Sequence, residues 1–193
     1  MKVGVLALQG AFREHAEVLD ALDIDVALVR RPEHLSALDA LVLPGGESTT
    51  IEKLLDTSEL RTPLAGALTG GLPALATCAG VILLARAVRD GRPDQRPLGA
   101  LDVTVRRNGY GRQRESFEAA FAIDGLAGGA FPGVFIRAPV IESVGDHVEV
   151  LATFDDAPVL VRDGVVWGAT FHPELSGDLR VHQLFVATLP ASR

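Results

Sequence analysis

The alternation of short apolar runs with helical stretches in the first half constrains this chain more than any other feature. The runs are Val3–Leu8, Asp25–Val29, Ala40–Leu43 and Leu72–Thr77. Stretches this short and apolar suit strands that are covered on both faces. Phe12–Leu22 follows the first, with Phe12, Ala16, Leu19 and Leu22 at helical spacing. The third run ends abruptly in Pro44-Gly45-Gly46, and Thr49-x-x-Glu52 reads as a capping box that opens a helix through Leu55. Gly80–Ala87 begins another helix after the fourth run. This order predicts an α/β fold of three layers, with a mostly parallel central sheet and helices on both faces.

The second half carries more strand signal. Leu101–Arg106, Ser116–Ile123, Val134–Arg137, Val148–Phe154, Val159–Arg162 and Val165–Phe171 are strand candidates, followed by a closing helix from Asp178 to about Leu189. Asn108-Gly109 and Asp163-Gly164 signal hairpin turns, so additional antiparallel strands are expected. Arg89–Pro97, rich in Arg, Pro and Asp, is the expected mobile connector. No internal repeat or long linker divides residues 1–193, so one domain is expected, and the length suffices for a sizeable core.

Charge and cysteine content narrow the function classes. A formal net charge of −7 works against general affinity for nucleic acid or anionic membrane. The single cysteine, Cys78, cannot form an internal disulfide, so the chain does not depend on an oxidising compartment. Thr62 to Ala85 lacks charge, but its prolines and glycines would break a lipid-exposed helix repeatedly. The apolar start runs into Gln9, Arg13 and Glu14 without a small-residue cleavage pattern. A cytoplasmic protein is the expectation.

Chemistry concentrates in a few segments. In Ala76-Thr77-Cys78-Ala79-Gly80 an apolar strand meets a cysteine flanked by small residues, and a helix follows at once. A nucleophile elbow needs this arrangement, because the turn is strained and bulky neighbours would hide the thiol. The helix N-terminus also favours thiolate over thiol. The turn alone leaves a buried structural cysteine equally open. In Phe171-His172-Pro173-Glu174 a histidine ends an apolar strand, at the sheet edge where sites of such folds gather. Glu174 can accept a hydrogen bond from its second ring nitrogen and fix the tautomer. Metal ligation by this pair lacks a third ligand at a telling spacing. His15, His34, His147 and His182 read as surface residues in helices or turns.

Two further segments support binding. Pro44-Gly45-Gly46-Glu47-Ser48-Thr49-Thr50 leaves backbone N–H groups open to an anion or oxyanion, although an ordinary strand-to-helix turn would look similar. It lacks the Gly-Lys-Ser/Thr ending of a phosphate-binding P-loop. The basic stretch Arg106–Arg114 fits a substrate carboxylate or a partner protein better than RNA, given the acidic whole.

Taken together these segments resemble the class I (triad-type) glutamine amidotransferases, and more closely the glutaminase subunits of two-protein pyridoxal 5′-phosphate synthases, the PdxT/SNO family. The resemblance covers nearly the whole chain. It rests on Val5–Ala11 with Arg13-Glu14-His15, Leu43–Thr50, Thr77–Gly80, Arg107-Asn108 with Gly111-Arg112-Gln113, Ser116-Phe117-Glu118, Val134–Pro139 and Phe171–Leu175. The Cys and His-x-Glu elements are common to the wider class. Gly-Gly-Glu-Ser-Thr-Thr and Phe-Ile-Arg-Ala-Pro are more specific.

The resemblance implies a flavodoxin-like glutaminase domain that hydrolyses L-glutamine to glutamate and ammonia. Cys78 would be the nucleophile, His172 the proton relay and Glu174 its orienting partner. Gly46 and Ala79 would supply the oxyanion hole. Gly46, Glu47, Ser48, Arg107, Ile136 and Arg137 would hold glutamine. It also implies a (β/α)8-barrel synthase partner in a large hetero-oligomer, low activity before docking, and no metal or organic cofactor. Two positions depart from the family pattern: Ala76 replaces a usual glycine, and Gly109-Tyr110 replaces a small residue and phenylalanine. Two other readings remain. One is the glutaminase of another amidotransferase, such as the imidazole glycerol phosphate synthase type, which the two specific segments oppose. The other is a non-catalytic regulatory subunit, which the intact Cys78, His172 and Glu174 oppose.

Overall fold

The computed structural model describes residues 1–107, 109 and 116–190. In chain order the first half runs β1 (Lys2–Leu6), α1 (Phe12–Asp20), β2 (Asp25–Val29), β3 (Ala40–Leu43), α2 (Ser48–Thr57), α3 (Arg61–Thr69), β4 (Ala74–Thr77), α4 (Ala79–Leu84) and β5 (Ala85–Arg89). The second half runs β6 (Leu101–Arg106), β7 (Ser116–Phe121), β8 (Phe131–Ile136), β9 (Val140–Val144), β10 (Glu149–Phe154), β11 (Ala157–Asp163), β12 (Val166–Ala169) and α5 (Arg180–Ala187). Short 3₁₀ turns lie at Pro32–Leu35 and Pro173–Leu175.

A seven-stranded central sheet has the order β10-β11-β12-β4-β3-β1-β2. From β12 to β2 every neighbouring pair is parallel. The hairpins β10–β11 and β11–β12 add antiparallel strands at one end. The fold is therefore the α/β sheet with antiparallel additions that the patterning predicts. The period of two along each strand sorts side chains cleanly. Leu41, Leu43, Ala74 and Ala76 join an aliphatic core with α2, α3 and α4, whereas Ala40, Val42, Leu75 and Trp167 face α1 and α5. Helices cover both faces.

Two small sheets flank this frame. One has the order β5-β6-β9, and the other is the hairpin-like pair β7–β8. The β7–β8 pair packs on the second core through phenylalanines: Phe121 and Phe135 lie 5.2 and 5.8 Å from the Phe171 ring. Asp163 pairs with Val166 around Gly164 at φ 58°, the expected tight turn.

Several local expectations are corrected. The helix after Cys78 stops at Leu84, because Ala85–Arg89 pairs with β6 and tertiary pairing overrides helical propensity. The charge-free stretch from Thr62 is not among these: it divides into α3, β4 and α4, in keeping with its prolines and glycines. Among the described residues no helix is long and apolar enough to cross a membrane. The cap of α2 is not Thr49 with Glu52: Glu47 is the N-cap, accepting a 2.8 Å bond from Thr50 N–H. A carboxylate one residue before the helix reaches the free N–H groups, whereas Thr49 already lies inside the first turn. The connector at Arg89–Pro97 is tied to α3, with Arg61 donating to the Arg96 carbonyl at 2.7 Å. Asn108 of the proposed turn, and Tyr110 to Arg114 of the basic stretch, lie outside the described residues.

Candidate active site at the carboxyl edge of the sheet

Three neighbouring parallel strands deliver the site. Cys78 follows β4 directly, Gly45 and Gly46 follow β3, and His172 lies three residues beyond β12. Thr77 pairs with Ala169, so Cys78 and the His172 segment leave the sheet side by side. The Cys78 amide donates to Ala169 O at 2.8 Å, and the His172 amide donates to Val134 O at 2.7 Å. Both residues thus hang on fixed backbone.

Cys78 has φ 47° and ψ −105°, a left-handed conformation that costs a non-glycine residue roughly 1–3 kcal/mol. The surrounding structure holds it there. A Cβ on Gly80 would stand 2.2 Å from the Leu43 carbonyl, so the start of α4 can lie against β3 only with glycine. Ala76, the departure from the family pattern, is fully buried and fits beside Gly80. Gly45 fills the gap beside the reactive pair: a Cβ there would meet His172 Cε1 at 2.3 Å and Cys78 Cβ at 3.0 Å. Gly10 at φ 97° presses on the same loop, and Ala11 N–H donates to Gly45 O at 3.0 Å.

The His172–Glu174 pair forms as read from sequence. His172 Nδ1 donates to Glu174 Oε1 at 2.7 Å, and both side chains are almost wholly buried. Burial by itself would lower the imidazole pKa, but interactions with Cys78 and Glu174 outweigh it and raise it to about 10. The ring is therefore built to carry a proton beside the thiol. Cys78 Sγ lies 3.8 Å from the Ile136 carbonyl oxygen, which places β8 across the front of the sulfur.

A cavity of about 330 Å³ opens over Cys78. Every residue singled out from sequence lines it except Glu174, which lies behind His172. Ser48 contributes a buried hydroxyl without a partner, free for a ligand. Arg107 stands 3.4 Å from Glu47 Oε1. Glu47 is held down to about 2 in pKa: desolvation opposes this, and hydrogen bonds from Thr49 and Thr50 prevail. Its carboxylate is thus largely engaged by the α2 cap, with one oxygen toward Arg107. Arg137 is exposed at φ 43°, a second strained backbone position at the cavity. A separate cavity of about 360 Å³ between α2, Arg61 and Arg92–Arg96 does not touch Cys78.

Sequence reading missed some of the site. Gln9, Gly10, Ala11, Ile82 and Leu175 also line the cavity, and Gln9 Oε1 accepts from Glu47 N–H at 2.8 Å. The clearest correction concerns His15 and His182, expected on the surface and found completely buried. Each occupies the inward face of its helix, and α1 and α5 both pack on the second core. His34 and His147 are exposed as expected.

Comparison with known proteins agrees with this geometry. The chain is 56% identical over 185 residues to the pyridoxal 5′-phosphate synthase subunit PdxT of Parafrankia sp. (strain EAN1pec), covering 96% of this chain and 91% of that protein. It is 53% identical to the subunit of the same name from Frankia alni, covering 99% and 96%. A crystal structure of a glutamine amidotransferase superposes with a TM-score of 0.90 at 50% identity, covering 96% of this chain and 97% of that one. The structure of PurLQS from Thermotoga maritima, at 15% identity and a TM-score of 0.67, shares the fold, with 96% and 97% covered. Residues 5–190 match a family of glutamine amidotransferases. The chain belongs to the SNO glutamine amidotransferase family.

Proposed function

We infer that this chain is the glutaminase subunit of a pyridoxal 5′-phosphate synthase, working as one domain in the cytoplasm. The observation that carries the reading is the strained Cys78 beside the buried His172–Glu174 pair, under a cavity lined by Gly46, Ser48 and Arg107. The names of its relatives supply the pathway.

In the reaction, His172 already holds on Nε2 the proton given up by Cys78, and Sγ attacks the side-chain amide carbon of L-glutamine as the thiolate. The negative oxygen of the tetrahedral intermediate is held by the backbone N–H groups of Gly46 and Ala79. His172 returns the proton to the amide nitrogen, the C–N bond breaks, and ammonia leaves a γ-glutamyl thioester on Sγ. His172 then takes a proton from water, the resulting hydroxide attacks the thioester, and glutamate departs, its carboxyl proton going to solvent and the Sγ thiolate remaining beside the protonated ring. Glu174 orients the ring throughout through the 2.7 Å bond. Arg107 and Arg137 suit the α-carboxylate, Ser48 the polar end of the substrate, and Ile136 its aliphatic chain. Glu47 orients Arg107. Ammonia passes to a (β/α)8-barrel synthase subunit in a large hetero-oligomer, whose docking raises the activity.

Glutamate release measured with and without the synthase subunit tests the reading. The wild-type chain is expected to release glutamate much faster in the complex, and Cys78→Ala to release none. Undiminished release by that variant would overturn the mechanism.

A further inference from the structure

Behind the triad lies a buried chain of polar side chains that the reaction scheme does not use. His15 Nδ1 lies 2.9 Å from His182 Nε2, and His15 Nε2 lies 3.1 Å from Thr77 Oγ1. The same Nε2 stands 3.2 Å from Glu174 Oε2, a buried oxygen that His172 does not hold and that has no hydrogen-bond partner among the described residues. Thr77 Oγ1 also accepts from Gly45 N–H at 3.0 Å. One cluster therefore touches both the back of the triad and the glycine loop that separates Cys78 from His172.

The protons in this chain can be placed by elimination. Each buried ring is neutral: burial first, then the neighbouring His182 and His172, hold His15 well below the ordinary imidazole range. Burial alone depresses His182 to about 4. One proton must lie between His15 Nδ1 and His182 Nε2. If His15 owned it, a bare lone pair on His15 Nε2 would face the Glu174 carboxylate. His182 Nδ1, buried without a partner, would then carry an orphaned N–H. If His182 owns it, His15 Nε2–H points toward the carboxylate and threonine oxygens, and His182 Nδ1 leaves only a lone pair unmatched. The second arrangement turns an N–H rather than a lone pair toward the carboxylate and leaves no N–H orphaned, so it prevails.

We propose that His15 is a positioning residue of the triad, directing Nε2–H at the free oxygen of Glu174 while His182 fixes its tautomer and Thr77 links it to the Gly45 loop. Glu174 Oε2, which has no hydrogen-bond partner, then faces the positive end of the His15 ring N–H at 3.2 Å, which favours the orientation that leaves Oε1 on His172. A buried polar cluster is poor at stabilising a fold compared with an apolar replacement, which gives it a reason to exist beyond packing. The inference rests on the glutaminase reading for its kinetic consequence.

The test compares His15→Leu with His15→Gln in the complete synthase complex, together with nitrogen-15 NMR of the histidine rings in the wild-type chain. His15→Leu is expected to lower kcat about 10- to 100-fold with KM within about two-fold, the usual scale for a lost outer-shell partner. His15→Gln, whose amide N–H reaches the same oxygen, should recover most of that loss even if both variants lose similar thermal stability. The spectra should show His15 and His182 each protonated at Nε2 alone. Wild-type kcat in His15→Leu, no recovery in His15→Gln, or a proton on His15 Nδ1 would each overturn the proposal. The NMR result requires no variant to fold. A wild-type complex that releases no glutamate would instead overturn the glutaminase reading, with the ring protons still judged separately.

Discussion

The two faces of the central sheet are built from different materials. Beneath α2, α3 and α4 the core is aliphatic, with Leu43, Leu55, Leu64 and Leu84 among its fully buried members. Beneath α1 and α5 it holds Phe121, Phe131, Phe135, Phe171 and Trp167, and two buried histidines lie beside it. The first face is a packing surface that non-directional burial suffices to hold. The second is a shaped surface, whose rings orient β8 and Phe171 and so the two residues that touch the thiol from that side, Ile136 and His172. Cys78 stands at the shared edge. Stability and catalysis should therefore separate by face.

The largest effect should come where the edge itself is broken. His172→Ala is expected to lower glutamate release in the complex by roughly 10⁴-fold, equivalent to about 5 kcal/mol of barrier. Steady-state kinetics at saturating glutamine would check it. A pair of truncations compares the faces directly. Phe171→Ala should cost about 3–5 kcal/mol and Leu55→Ala about 2–5 kcal/mol in urea unfolding. Only Phe171→Ala should also lower kcat per folded molecule, since His172 is the next residue in the chain. Equal kcat losses from both would erase the distinction between the faces.

Acid should act on the histidine-bearing face first. The unfolded chain binds a proton at His182 near pH 6.5, whereas the folded chain resists until about 4. Stability contributed by the neutral ring is therefore fully present above 6.5 and is lost as pH falls through that window, with His15 acting in the same direction. The loss should be on the order of 3 kcal/mol by pH 4, read from urea midpoints. His182→Leu should flatten that slope, and an unchanged slope would break the assignment. The smallest effect on stability belongs to the cap of α2 at the cavity: Glu47→Ala should cost about 1 kcal/mol. Its Tm should be compared with that of Glu47→Asp.

The frame and the grouping of Cys78, His172 and Glu174 were legible because both are written locally. Apolar runs mark strands, and Cys78 and His172 sit just beyond the ends of two of them. The cap of α2 was misplaced because Thr49-x-x-Glu52 fits a pattern that only side-chain geometry can assign. α3 was hidden by Pro63 and Gly66, and β5 by the absence of any local cue to its pairing with β6. The burial of His15 and His182 was missed. Their contact spans 167 positions of sequence and exists only because α1 and α5 lie on one face. A signal was present nonetheless, since each histidine falls on the apolar side of its own helix: His15 with Leu19, His182 with Phe185.

One consequence of the elbow concerns counting. The chain holds a single sulfhydryl, and it is the one at the strained turn beneath the cavity. Any electrophile that consumes thiol from the folded protein is therefore reporting on that one place, and the mass of the adduct needs no peptide mapping to locate it. Moles of label per mole of chain give the fraction of molecules whose pocket is open and correctly built. Across a preparation, that number separates a population of half-working copies from a population in which half the copies work.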